Sequence, residues 1–201
     1  MPSRSSPLAP TRDRLLDEAM RLFGERGYEA TSVADIERAA GLTPGAGGLF
    51  HHFRSKEALL REGIERHVAR LEALRQIRGV VPPLGDVRAE LTLLARYVFA
   101  EMAEERELLR VLFTEARQRP EIVAEAVDRI VRSSFREFAQ WLARVVGDLP
   151  NRDAVAAVAL GALAYNRAAE ALIDEPLVDV DEETFIATWV NMVVAYLGPL
   201  T

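Results

Sequence analysis

Apolar residues recur at spacings of three and four positions along most of the chain. The first such group consists of Leu15, Leu16, Ala19, Met20 and Phe23. Similar spacing continues through residues 60–74, 87–102 and 123–145, and it places one apolar stripe on each helix. No stretch of six or more residues alternates apolar and polar positions as a half-buried strand would. The pattern predicts an all-α protein with about nine helices.

Capping residues and prolines mark where these helices begin and end. Ser32 precedes residues 33–40 and is followed three places later by Asp35, an arrangement like a capping box. Asp181 stands in the same way before an acidic first turn, and Ser55 before Lys56. The expected helices therefore include residues 33–40, 55–77, 151–173 and 182–197. A tight corner between helices is expected around Pro82-Pro83, which Gly79 and Gly85 flank.

Composition excludes several classes of protein. Apolar residues make up 49% of the 201 positions, which is enough for a core. The chain has no Cys, so it forms no disulfide and no thiolate metal site. The longest apolar run, residues 154–165, is shorter than a bilayer span, and residues 1–11 lack the apolar stretch of a signal peptide. We expect a cytoplasmic protein that does not enter a membrane.

The net charge of −6 is unevenly distributed. Residues 1–56 carry +1 and residues 57–201 carry −7. This asymmetry has the sign expected of a small DNA-reading region on an acidic body.

The segment from Val33 to Phe53 carries the most specific pattern. A short helix ends at Gly41, and Thr43-Pro44 is placed to open a second short helix. Two short helices joined by a tight turn that contains Gly are typical of a helix-turn-helix, whose second helix enters the major groove. Small residues at positions 45–48 would let the backbone approach DNA closely. Lys56 and the amides after Ser55 would contact a phosphate.

Residues 12–60 resemble the DNA-binding region of the TetR family of transcription repressors. The matching positions, in order, are Phe23, Gly27-Tyr28, Thr31-Ser32-Val33, Ile36, Ala40-Gly41, Thr43, His52-Phe53 and Ser55-Lys56-Glu57 with Leu59. The resemblance implies a helix-turn-helix domain over residues 1–56, with a disordered arm at about 1–10. It also implies a helical domain for ligand binding and dimerisation over residues 57–201.

Two departures from the family pattern affect the reading of DNA. The segment Ala46–Leu49 is about two residues longer than usual, so we expect a recognition helix that is longer, distorted or re-angled. Phe50 replaces the usual Tyr and lacks its hydroxyl. Because the segment is poor in Arg, Asn and Gln, backbone contacts and DNA shape should supply more of the specificity than usual. The expected DNA contacts are Thr31, Ser32, Thr43, Pro44, Gly45, Ala46, Gly47, Gly48, Phe50, His51, His52 and Lys56.

The chain carries no pattern of a catalytic, metal or cofactor site. His51 and His52 are adjacent and point about 100° apart on a helix, so they are poorly placed to share an ion. The glycine-rich segment 45–48 lacks the preceding strand and the Gly-Lys-Ser/Thr ending of a phosphate loop. We expect no catalytic residue, no metal and no cofactor.

The last two helices favour a homodimer. Residues 154–165 are apolar on all sides, and such a helix must be covered all round. A chain of this size offers too few partners for two such helices, so a symmetric four-helix interface is expected, as the resemblance also implies. Its expected residues are Val155, Val158, Ala159, Ala162, Phe185, Trp189 and Val193.

The resemblance also implies an effector pocket among the middle helices. An apolar pocket with few polar anchors would favour a hydrophobic or amphipathic small molecule. The candidate residues are Phe99, Met102, Phe113, Phe138, Trp141, Asn166 and Arg167.

The function that these features predict is a ligand-responsive repressor. Such a dimer would bind a palindromic operator in double-stranded DNA and be released from it by its effector. The alternatives are a helical protein–protein adaptor without DNA-binding activity and, more distantly, a small helical enzyme.

Overall fold

The computed structural model describes residues 10–79, 83–173, 175–176 and 178–198. Within these ranges the regular structure is helical and no strand occurs, as the sequence predicts. The helices are α1 (Thr11–Arg26), α2 (Val33–Ala39), α3 (Lys56–Gly79), α4 (Val87–Glu104), α5 (Arg106–Glu115), α6 (Pro120–Val127), α7 (Ser133–Val146), α8 (Arg152–Ile173) and α9 (Glu182–Leu197). Residues 1–9 of the expected arm and residues 80–82 of the expected corner lie outside the described residues.

The chain divides into two compact units. The first, called here the head unit, contains Met1–Arg70 and Glu107–Ala126. The second, called here the body unit, contains Leu71–Arg106 and Val127–Thr201. The head unit therefore extends beyond the boundary expected after residue 56 and includes α5 except its first residue, and most of α6. The division falls within α3, which is one continuous helix.

The core of the head unit is formed by the apolar stripes that the sequence predicts. Leu15, Leu16 and Phe23 of α1 are fully buried, and so is Ile36 of α2. Helices α1 and α3 approach closely at Gly63, where an added Cβ atom would lie 2.5 Å from the Sδ atom of Met20. A Cβ atom at position 63 would therefore require the side chain of Met20 to move.

The core of the body unit is built from α4, α7, α8 and α9. Phe99 of α4, Leu142 of α7 and Leu163 of α8 are buried in it. Trp189 of α9 is also buried, and its indole N–H donates a 2.8 Å hydrogen bond to the backbone carbonyl of Ala159. This bond satisfies a polar atom that would otherwise be lost to water inside the core.

A π-helical turn over Asp128–Arg132 leads into α7. The guanidinium of Arg75 on α3 donates to the carbonyls of Arg129 and Ile130 at 3.1 and 3.2 Å. The same guanidinium donates to the hydroxyls of Ser133 and Ser134. Arg75 therefore ties the last part of α3 to this turn within the body unit.

None of the described helices is both long and apolar enough to span a bilayer.

Candidate nucleic-acid interface

Helix α2 is fixed at its start by a complete capping box. The hydroxyl of Ser32 accepts a hydrogen bond from the N–H of Asp35 at 3.1 Å, and the carboxylate of Asp35 accepts one from the N–H of Ser32 at 3.2 Å. The hydroxyl of Ser32 also donates to the carboxylate of Asp35, and this bond, followed by the one from the N–H of Ser32, holds the pKa of Asp35 below its ordinary value. The helix ends before Gly41, whose φ of 75° is the left-handed conformation that glycine adopts easily. Both predicted ends of this helix are therefore confirmed to within one residue.

The expected recognition helix is not an α-helix. A turn follows Thr43, and the only helical geometry before α3 is a single 3-10 turn over Leu49–His51. Gly45 and Gly47 both have a φ of 78°, which a right-handed helix cannot contain. The prediction that Pro44 opens a helix is therefore wrong, and the expectation that the segment is distorted describes it better. Residues 43–52 are called here the reading segment.

A buried carboxylate anchors the reading segment through hydrogen bonds to its backbone. Glu37 of α2 is fully buried. It accepts hydrogen bonds from the N–H groups of Gly45 at 2.7 Å and Leu49 at 3.0 Å. These bonds, first that from Leu49, hold the pKa of Glu37 below its ordinary value. The carboxylate thus serves as the acceptor that a continuous helix would otherwise have provided to these N–H groups.

Most of the predicted DNA contacts are accessible in the head unit. Gly47 and Gly48 are half-buried. The exposed residues are Ser32, Thr43, Pro44, Gly45, Ala46, Phe50, His51 and His52. Thr31 is the exception, because it is fully buried and its hydroxyl donates to the carbonyls of Leu22 and Gly27. It therefore joins the 27–31 loop to α1, and the prediction that it contacts DNA is wrong.

The side chain of Lys56 is used inside the head unit. Its ammonium donates to the carbonyls of Tyr28 and Thr31, both at 2.8 Å, and lies 4.0 Å from the centre of the Tyr28 ring. Burial lowers the pKa of Lys56. The expected phosphate contact by this ammonium is therefore replaced by a structural role, because its donors are directed at the 28–31 loop.

A second cation lies against the same tyrosine. The guanidinium of Arg119 is 3.9 Å from the centre of the Tyr28 ring and forms ion pairs with Glu29 and the buried Glu115. Glu115 also accepts a 3.0 Å hydrogen bond from the N–H of Tyr28. Burial raises the pKa of Tyr28, and the charge of Arg119 acts in the opposite direction. The loop before α2 is thus fixed to the end of α5 and to the residue that precedes α6, within the head unit.

Sequence reasoning missed two residues of this site. Glu37 was missed because nothing in the sequence indicates that this charged residue of a short helix is buried. The available signal was its position eight residues before Gly45, at the start of a glycine-rich segment whose N–H groups need acceptors. Arg54 was missed because the motif that carries the resemblance does not include it and resumes at Ser55-Lys56-Glu57. It is exposed beside the start of α3, and within the described ranges its guanidinium has no ion-pair or hydrogen-bond partner. It is therefore an available cation next to the reading segment.

The candidate effector residues do not all belong to one unit. Phe113 lies on α5 in the head unit and is half-exposed, so it is removed from the predicted pocket. The other six are in the body unit, where Phe99 and Phe138 are buried and Trp141 stacks on Phe138 at 5.5 Å. Asn166 is buried, Met102 is half-buried, and Arg167 lies over Phe99 at 4.1 Å. An open cleft elsewhere in this unit is lined by none of them; its residues are Asp148, Leu149, Asn151, Arg152, Asp153 and Ala154.

The predicted dimer residues divide into inward and outward positions. Ala159, Trp189 and Val193 are buried in the core of their own chain, so the prediction that they form an interface is wrong. Val155 and Phe185 are half-buried against that core. Val158 and Ala162 are exposed on α8, together with Tyr165, and α9 exposes Met192 and Tyr196. These five exposed residues are called here the α8–α9 face.

Comparisons with known proteins place this architecture in a family. The family described as "Bacterial regulatory proteins, tetR family" matches residues 15–62. The HTH-type transcriptional repressor Rv1474c of Mycobacterium tuberculosis is 32% identical over 132 residues, which are 62% of this chain and 67% of the relative. The HTH-type transcriptional repressor ComR of Escherichia coli is 44% identical over 71 residues, 35% of this chain and 33% of the relative. The chain thus spans two thirds of the first relative and about one third of the second.

Solved structures share the whole fold. A regulatory protein of the tetR family from Rhodococcus superposes with a TM-score of 0.70 and 21% identity, and the match covers 96% of this chain and 100% of the other. A transcriptional regulator from Aquifex aeolicus has a TM-score of 0.65 and 20% identity over 92% of this chain and 98% of its own. The resemblance seen in residues 12–60 is confirmed: the chain belongs to the TetR family of bacterial transcriptional regulators, which bind DNA through a helix-turn-helix.

Proposed function

We propose that this regulator is a dimeric repressor that binds a palindromic operator and obstructs transcription. The observation that carries the proposal is the geometry of the reading segment. Most of its residues are exposed, and two of its backbone N–H groups donate to the buried carboxylate of Glu37. A segment that must enter a groove repeatedly has to be fixed before it binds, since ordering it on binding would cost free energy. The action requires access to the chromosome, so the protein works in the cytoplasm.

The proposed DNA contacts follow from exposure. Backbone N–H groups and the polar side chains of Ser32, Thr43, His51 and His52 contact phosphates or base edges. Arg54 supplies the phosphate contact that Lys56 cannot make, because its guanidinium is exposed and unpaired within the described residues. The proposed contacts in full are Ser32, Thr43, Pro44, Gly45, Ala46, Gly47, Gly48, Phe50, His51, His52 and Arg54.

The proposed dimer forms through the α8–α9 face. Val158 and Met192 are exposed to 76% and 69%, and Tyr165 and Tyr196 are similarly open. Large apolar residues gathered on one pair of helices of a DNA-binding regulator favour a symmetric four-helix contact with a second copy. The symmetry would present two reading segments about 34–36 Å apart, so that they meet successive major grooves on one side of the duplex.

The proposed effector is a hydrophobic or amphipathic small molecule that binds in the body unit. Phe99, Met102, Phe138 and Trp141 supply apolar surface, and Asn166 and Arg167 supply polar groups. The buried Nε–H of Arg167 has no acceptor among the described residues, so an effector with an acceptor oxygen would satisfy it. Binding shifts the equilibrium towards a body conformation that α3 transmits to the head units, and it does so only by its differential affinity for the two states.

The test is selection of operator sequences from random duplex DNA by the purified full-length protein. The expected product is a palindromic motif whose half-sites are about one helical turn apart. A gel shift with the promoter beside its own gene gives an independent readout. Failure to select any sequence, with the fold intact by circular dichroism, would reject the proposal and favour the adaptor.

A further inference from the structure

We propose that the reading segment recognises the 5-methyl groups of thymine in the operator, and that Phe50 makes the principal contact. The inference rests on the proposed function, because it names what the DNA-binding site reads.

The reading segment offers an apolar edge with few hydrogen-bonding side chains. Its sequence from Thr43 to His52 contains no Arg, Lys, Asn, Gln, Asp or Glu. Only Thr43 and the two histidines carry polar side chains. The bidentate contacts that identify guanine and adenine need Arg, Lys, Asn or Gln, so they cannot come from this segment.

Phe50 is the largest side chain that the segment exposes. The residue is 57% exposed, whereas the adjacent Leu49 is fully buried and donates its N–H to Glu37. The N–H of Phe50 itself donates to the carbonyl of Gly47 at 3.0 Å. The ring therefore projects from a fixed backbone and has not been recruited into the core of the head unit.

The neighbours of Phe50 allow its ring to reach a base edge. Gly45, Ala46, Gly47 and Gly48 carry no side chain larger than a methyl group. Pro44 and Ala46 are exposed and add apolar atoms without adding a hydrogen-bond donor. The ring is thus preceded along the chain by small apolar residues and followed by the exposed His51 and His52.

The major groove contains one apolar group that such a surface can identify. Thymine presents its 5-methyl group there, and the side chains that contact it are apolar, Phe and Ala among them. A phenylalanine ring cannot donate to a phosphate, so Phe50 gains affinity only where it covers apolar atoms. Direct contact with the thymine methyl group therefore contributes to sequence specificity in addition to DNA shape.

The experiment replaces thymine by deoxyuridine in the selected operator, one position at a time. This change removes the methyl group and keeps base pairing. At the thymine that Phe50 covers, the dissociation constant should rise about fourfold for each methyl group removed, because burial of one methyl-sized group contributes about that factor. The effect should occur at the symmetric position of the other half-site as well.

A double-mutant cycle assigns the effect to Phe50. Phe50→Ala should weaken binding to the thymine operator by about tenfold for each head, near the lower limit for full burial of one such side chain. The same variant should bind the thymine and deoxyuridine operators equally well. Phe50→Leu should keep part of the preference for thymine. Phe113→Ala, which removes an aromatic ring of similar exposure from the same unit, should change neither affinity nor preference.

Each outcome bears on a separate claim. If the protein selects an operator but binds its deoxyuridine form equally tightly at every position, the inference is overturned and the proposed function stands. An equal loss in wild type and Phe50→Ala would also overturn it, since the methyl group would then act through DNA shape. If no operator is selected, it is the proposed function that fails.

Discussion

The carboxylate of Glu37 accepts a 3.0 Å hydrogen bond from the N–H of Leu49, twelve residues further along the chain. The bond is buried and joins the middle of α2 to the only helical turn of the reading segment. A segment that contains two left-handed glycines has no continuous helical ladder of its own. Its shape therefore depends on an acceptor supplied by another element, and Glu37 is that acceptor.

Glu37→Ala should destabilise the protein and weaken operator binding more than its stability loss explains. The free energy of unfolding in urea should fall by about 1–3 kcal/mol, because the buried N–H of Leu49 loses its acceptor. Operator affinity, measured where the variant is fully folded, should fall at least about tenfold because the reading segment loses its anchor. Glu121→Ala, at an exposed position of α6, is the matched control and should stay within about 0.5 kcal/mol of wild type. Equal affinities for Glu37→Ala and wild type would show that the segment holds its shape without the anchor.

The stabilisation by Glu37 should depend on pH in one direction. Its hydrogen bonds hold its folded-state pKa below the ordinary value of 4.5. The stabilisation is therefore complete above about pH 4.5 and is lost as the pH falls through the lower folded-state pKa. The difference in free energy of unfolding between wild type and Glu37→Gln should accordingly shrink below that pH. A difference that stays constant down to the acid transition would contradict this assignment.

Arg54 and Lys56 should differ in their effect on the salt dependence of operator binding. Arg54→Gln should lower the slope of the logarithm of the association constant against that of salt concentration by about one unit for each head, because one phosphate contact is lost. Lys56→Met should leave the slope unchanged and lower the free energy of unfolding by about 1.5–3 kcal/mol, because two hydrogen bonds from a charged donor are lost. A reduced slope for Lys56→Met and an unchanged slope for Arg54→Gln would show that Lys56, and not Arg54, contacts the phosphate.

The local features of the fold could be predicted from the sequence. The capping box of Ser32 and Asp35 lies within four consecutive residues, so its partners can be recognised from the sequence. Gly41 after α2 likewise indicates a left-handed helix end, because glycine favours that conformation. Lys56 could not be placed in this way, because its partners Tyr28 and Thr31 lie 28 and 25 residues away and meet it only through folding. The role of Glu37 could not be predicted for the same reason, because its partners Gly45 and Leu49 lie 8 and 12 residues further along the chain.

The orientation of α8 and α9 could not be predicted for another reason. Helices that are apolar on all sides have no polar face to indicate which side meets the core. The sequence therefore predicted that Trp189 contacts a second subunit, whereas its indole N–H donates to the carbonyl of Ala159 in the same chain. The expected interface therefore included Ala159, Trp189 and Val193, which face the core of their own chain.

Arg119 should stabilise the loop that precedes α2. Arg119→Met leaves the buried carboxylate of Glu115 without its cation and removes the contact with Tyr28, so the free energy of unfolding should fall by about 3 kcal/mol. Arg117→Met changes an exposed arginine two residues earlier and should have an effect below about 0.5 kcal/mol. Both values are measured by urea denaturation, and equal values for the two variants would remove the proposed role of this contact.

Charge on the α8–α9 face should separate the two subunits. Val158→Glu and Met192→Glu each place a carboxylate where the proposed dimer buries apolar surface, and an unpaired charge cannot be buried without a large cost. Sedimentation equilibrium should therefore show dimers for wild type and monomers for both variants at micromolar concentration. Leu93→Glu, at an exposed leucine of α4, should remain dimeric and controls for added charge. Because one head contacts only one half-site, the monomeric variants should also lose most of their operator affinity while keeping their helical content. A wild-type monomer, or dimers that tolerate both substitutions, would contradict the assignment of this face.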